Sequence, residues 1–227
     1  MGEPSAIRVR LWDLPVRLCH WSFVILIPAL WWTAENEKIG LHMRLGMLLL
    51  VLLTFRILWG FFGSSTARFA SFVRGPRAVA SYLSSLGNPA HAPAVGHNPA
   101  GGWSVLALLG TMAVQVALGL ISGDPDDNGA GPLYDVAGYE IAYSATWWHT
   151  KVVFNVIVAA IALHIAAILF YRLVKRDNLI APMVTGARAF PQGSAAMIPV
   201  PAWRVLVCVL AAIVLAGWIW SGIPPLG

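Results

Sequence analysis

The chain has 227 residues, 58% of them hydrophobic and 11% charged, and its mean hydropathy of +0.71 lies outside the balance of a soluble globular domain. Although the net charge is +5, the basic residues punctuate apolar segments and form no run, a pattern that reads as membrane topology and leaves no nucleic-acid partner. Cys19 and Cys208 make no C-x-x-C pair, which excludes a redox dithiol, a zinc knuckle and covalent haem attachment.

About 20 apolar residues cross a bilayer, and five runs of that kind predict helices over 18–33, 42–62, 103–121, 147–171 and 205–220. The first run follows Asp13 and Pro15, and Trp31, Trp32 and Glu35 stand where a cleaved leader has small residues, so it reads as a retained helix. All eleven tryptophans fall near the proposed span ends, where an amphipathic ring prefers the headgroup level. The fold class expected is an all-α integral membrane protein.

Arg8, Arg10 and Arg17 flank the first run, Arg68, Arg74 and Arg77 follow the second, and Arg172, Lys175, Arg176, Arg188 and Arg204 lie between the fourth and fifth. These stretches are expected to be cytoplasmic. The segment 122–146 carries Asp124, Asp126, Asp127, Asp135 and Glu140 without Lys or Arg, so it is expected outside, and the C-terminus with it.

Ionisable side chains inside a bilayer are costly and are kept mainly for function, which makes four of the six histidines candidates. His20 lies near the cytoplasmic end of the first run; His42 opens the second and His149 the fourth at the outer side; His164 lies in the inner half of the fourth. At 1.5 Å and 100° per residue, the fifteen residues from His149 to His164 span roughly 22 Å and return to within roughly 60° of one face. Depth then pairs His20 with His164 and His42 with His149. Two imidazoles on opposite faces of a porphyrin make a low-spin haem closed to substrate, a site for electron transfer. Zinc requires about four clustered ligands, which residues split by depth do not supply. The competing reading is of histidines that snorkel or hydrogen-bond between helices.

Haem propionates are anionic. The only basic residues expected on the outer side, Lys38, Arg44 and Lys151, lie within a few positions of His42 or His149, where an outer haem would use them. Arg56, fourteen residues after His42, lies roughly 40° off the same face and about 21 Å deeper. It either reaches an inner propionate or snorkels to the headgroups.

The stretch RVRLWDLPVRLCHW, from Arg8 to Trp21, resembles the opening of the bacterial cytochrome b561 family, which includes the b-type subunits of nickel-iron hydrogenases. The segments 41–46, 69–77, 96–99 and 178–186 are also similar to stretches of that family. The resemblance implies a four-helix transmembrane di-haem bundle over residues 1–186, with a linker and a fifth helix in 187–227 that falls outside it. It implies two haem b groups with His20, His42, His149 and His164 as axial ligands. It further implies electron exchange between the quinone pool and a partner that is often periplasmic, such as a c-type cytochrome or hydrogenase subunit, in a bacterial inner membrane. In the related gamma subunits of formate dehydrogenase a polar turn opening the third helix holds the quinone; carried over, Asn98 and His97 become quinone-site candidates. Asn98 as the cap of the third helix is the alternative. Two other functions stay open: a stand-alone quinol-dependent oxidoreductase acting on superoxide or a ferric chelate, and a non-redox transporter or scaffold.

Overall fold

The computed structural model describes residues 6–88, 95–124, 129–191 and 194–222. In chain order they form β1 (Ala6–Arg10), α1 (Leu14–Glu35), α2 (Ile39–Phe62), the short α3 (Phe69–Phe72), α4 (Pro76–Ser85) and α5 (Pro99–Ile121). Then come β2 (Gly123–Asp124), β3 (Gly129–Ala130), α6 (Tyr134–Ala137) and α7 (Tyr139–Trp147), a π-helical turn at Trp148–Val153 that runs into α8 (Phe154–Leu173), α9 (Ile180–Thr185), β4 (Ala187–Pro191) and α10 (Trp203–Trp220). Five stretches are long and apolar enough to cross a membrane: α1, α2, α5, the continuous Tyr139–Leu173 and α10. The chain is an all-α integral membrane protein, and each expected run lies inside one of these helices. Leu48, Val114, Leu163 and Val214 are among the large apolar side chains left exposed, as expected where the surrounding solvent is lipid.

The chain divides into two compact units, each drawing on several helices. The first comprises Met1–Leu18, Leu58–Ala107 and Ile161–Val205. Here β1 pairs antiparallel with β4, Ala6 opposite Pro191 through Arg10 opposite Ala187, a ladder that a parse into helices and loops did not anticipate. Gly186 ends α9 at φ +81°, and its carbonyl accepts the N–H groups of Leu11 and Trp12 at 2.8 and 3.1 Å. A Cβ at Gly186 would stand 3.0 Å from the Trp12 carbonyl oxygen, so both the dihedral and the close approach call for glycine. Asp177 and Arg188 form an ion pair at 2.7 Å.

Asp13 starts α1. Its Oδ1 accepts the Val16 N–H at 2.8 Å, an N-cap, while Oδ2 accepts the indole N–H of Trp59 on α2 at 2.9 Å. This corrects the interfacial reading of two tryptophans: Trp59 is 1% exposed and Trp12 7%, because each is enclosed by the packed end of this unit. The segment leading to α10 is tied to the same unit, with Met197 N–H on the Arg10 carbonyl at 2.9 Å and Ile198 N–H on Ser65 Oγ at 2.8 Å.

The second unit comprises Cys19–Ile57, Leu108–Ala160 and Leu206–Gly227. Its α1 and α2 form a tight hairpin: Glu37 takes φ +56° and Lys38 N–H reaches back to the Thr33 carbonyl at 2.9 Å, so α2 begins beside the end of α1. After α5 the chain turns through the β2–β3 ladder, closed by Gly123 N–H on Thr146 Oγ1 at 3.0 Å. Along α10, Ile213, Ala216, Gly217 and Trp220 line a shallow apolar groove with Met47, Leu48 and Val51 of α2.

Replacing Asp13 with Ala removes the α1 cap and the acceptor of the Trp59 bond together, and is expected to cost about 2–3 kcal/mol. Asp13→Asn keeps an acceptor oxygen and should cost less. Thermal unfolding in detergent checks the order: wild type highest, Asn between, Ala lowest.

Candidate functional site

In the second unit the α1–α2 hairpin and the π-helical turn bring the rings of His42 and His149 together edge to face. Their ring centroids lie 6.2 Å apart with planes at 87°. Each ring is held through Nδ1 by a backbone carbonyl of another helix. His42 Nδ1 lies 2.9 Å from the Leu30 carbonyl oxygen, with Thr33 Oγ1 at 3.4 Å, and His149 Nδ1 lies 2.9 Å from the Gln115 carbonyl oxygen. A carbonyl can only accept, so Nδ1 carries the proton in both rings and Nε2 keeps its lone pair for a ligand. Gln115 makes a second tie, its Nε2 donating to the His149 carbonyl at 3.0 Å. Wide π turns recur at functional sites, and this one spans the histidine itself.

This donor set fits an iron between two imidazoles. A bound imidazole nitrogen sits roughly 2 Å from its metal and about 1 Å from its own ring centre, so two rings across one metal have centres about 6 Å apart. Among the described residues there is no group of three or more His, Cys, Asp or Glu side chains that could hold a metal. Two histidines alone suit a site whose remaining ligands are porphyrin nitrogens.

The other predicted residues are placed as follows. His20, on α1 in the second unit, packs edge-on against Trp21 at 5.2 Å between ring centroids, and His164 lies on α8 in the first unit. Arg56 is buried, 6% exposed, so it does not snorkel. Arg44 and Lys151 are exposed, and Lys38 lies over the Trp32 ring at 5.7 Å. Of the acidic loop, Asp135 and Glu140 are exposed, while Asp126 and Asp127 lie outside the described residues, as does His91.

Asn98 caps α5: its Oδ1 accepts the Gly101 N–H at 2.7 Å and Pro99 follows at the first helical position, as such starts favour. Its amide also donates to the Tyr171 hydroxyl at 3.2 Å, which is hydrogen-bonded to the Tyr82 hydroxyl. Burial, reinforced by the Tyr171 bond, pushes the Tyr82 phenol above its ordinary range, so it stays protonated. His97 is set between the rings of Trp12 and Phe72, at 4.7 and 4.5 Å.

Leu30, Thr33, Gln115 and Gly119 were not singled out from the sequence. Gln115, the one amide in the third run, was a legible signal, because a polar side chain in a membrane helix marks an interhelical bond. A carbonyl partner such as that of Leu30 leaves no trace in residue type.

A family model described as prokaryotic cytochrome b561 matches residues 11–186. No curated protein and no solved structure matches the chain. The matched segment takes in the capped start of α1, both histidines of the pair and Asn98, and stops just short of both strands of the β1–β4 ladder. The chain therefore belongs to the prokaryotic cytochrome b561 family of membrane-bound, electron-transferring b-type cytochromes.

Proposed function

We propose that this cytochrome carries electrons across the bilayer between the quinone pool and a periplasmic redox protein through two b-type haems. His42 and His149 would hold the outer haem, and His20 and His164 the inner. The observation that carries this reading is the His42–His149 pair, 6.2 Å between ring centroids, with both Nδ1 atoms bound to carbonyls. When bound, each haem would supply a one-electron iron couple.

The protein's part is to hold, orient and shield. The Leu30 and Gln115 carbonyls fix the tautomer and raise the basicity of each imidazole. Arg56, buried at membrane depth, supports a role beside the inner haem, since a guanidinium taken out of water is stabilised by an anion such as a propionate. Arg44 and Lys151 are assigned to the outer propionates. Orientation rests on charge: eleven of the fifteen Lys and Arg residues belong to the first unit, which supports placing it at the cytoplasmic side. The quinone head is assigned to the start of α5, where Asn98, Tyr171 and Tyr82 gather one amide and two hydroxyls and His97 lies next in sequence. The exposed Asp135 and Glu140 support docking of a basic electron carrier such as a c-type cytochrome.

A pyridine haemochrome assay on the purified protein is expected to return two haems per chain; fewer than one would defeat the reading. His42→Ala is expected to remove the outer haem and keep the inner, and His164→Ala to do the reverse. Loss of the same redox-resolved species in both would show that the depth pairing is wrong.

Asn98→Ser keeps a capping oxygen but withdraws the amide. Stopped-flow reduction by a short-chain quinol is expected to slow about tenfold or more, equivalent to about 1.4 kcal/mol, with unchanged haem spectra. An unchanged rate would move the quinone elsewhere.

A further inference from the structure

We propose that α5, a membrane helix with no ligand of its own, is the seat of His149, and that Gly119 and Gln115 are positioning residues that set the rotation of its imidazole. This rests on His149 being an axial ligand. Gln115 and Gly119 are four residues apart and so share one helix face. Helical Cα–Cβ bonds tilt toward the N-terminus, so a side chain at 119 would lie over the carbonyl at 115. Glycine leaves that carbonyl open, and His149 Nδ1 reaches it at 2.9 Å. The fit is close: a Cβ on Gly119 would stand 2.9 Å from His149 Cε1, 3.3 Å from Nδ1 and 3.6 Å from Nε2.

The ring cannot swing aside without cost. Its Nδ1 is tied to the Gln115 carbonyl and its own backbone carbonyl to Gln115 Nε2 at 3.0 Å, so one residue grips the ligand from both ends. A methyl at 119 has to turn the imidazole, lengthen the Nδ1 bond, or both. The two changes have distinct readouts. Turning one imidazole against the other, now at 87°, changes the low-spin g values of the iron between them. Weakening the Nδ1 bond makes the ligand less basic and stabilises ferrous iron, which raises the midpoint potential.

The test compares variants of the haem-loaded protein by electron paramagnetic resonance and optical redox titration. Gly119→Ala is expected to shift the outer-haem g values and raise its midpoint, or to lose that haem alone, with the inner haem unchanged. Gly110→Ala, on the same helix with nothing within 4 Å of the new Cβ, is expected to match wild type. Wild-type outer-haem g values and midpoint in Gly119→Ala would overturn the proposal. So would a shift of both haems, or an equal shift in Gly110→Ala. If Gly119→Ala does not accumulate, Gln115→Leu carries the test: it keeps the backbone carbonyl and deletes the side-chain tie. A shift confined to the outer haem supports the seat there, and no shift overturns it. His149→Ala separates the two levels of the argument, because retention of both haems in that variant would refute the ligand itself rather than its seat.

Discussion

Inside a bilayer a polar group has no water to turn to, and each unsatisfied donor or acceptor costs several kcal/mol. That constraint organises both units of this protein. The carbonyls that hold His42 and His149 belong to residues of the hydrocarbon-spanning helices, so protein backbone, not solvent, decides which nitrogen carries the proton. The decision has a chemical consequence: with Nδ1 committed, Nε2 is the nitrogen that can meet a metal. A histidine pair left to water would exchange tautomers freely.

The same economy appears at the other unit. Asp13 caps a helix and accepts an indole N–H with its second oxygen, and Asn98 caps α5 while donating to Tyr171. Each polar side chain does two jobs because partners are scarce. The β1–β4 ladder follows the same logic, since extended backbone outside the helices satisfies its N–H and C=O groups by pairing. Arg56 is the case where burial and charge meet. A guanidinium taken out of water is stabilised by an anion, which is the ground on which the proposed function sets it beside the inner haem.

α5 shows how a helix without a ligand still shapes the site. Gly119 makes room, Gln115 supplies a carbonyl and an amide, and the π turn at Trp148–Val153 presents His149 to both. The wide turn also bears on helix arithmetic: the step of 100° per residue counted from His149 to His164 assumes uninterrupted α geometry, and the first turn of that stretch departs from it.

Five spans, the membrane as solvent, and the four histidines worth attention follow from the sequence alone, because hydropathy is a sum over residues and an ionisable group in lipid is conspicuous wherever the chain puts it. The family resemblance was equally legible, since it lies in contiguous motifs such as RVRLWDLPVRLCHW. What only the tertiary structure decided is which atoms meet. Trp59 reads like an interfacial ring until Asp13, 46 residues away, is found against it. Gly119 reads like any helix glycine until His149 is seen 2.9 Å from where its Cβ would be. The Leu30 carbonyl belongs to every residue type alike, so its choice as the partner of His42 depends on the Glu37 turn bringing two helices side by side. Contacts of this kind are set by packing between segments remote in the chain, and residue type records them only where a side chain, as with Gln115, is itself out of place in lipid.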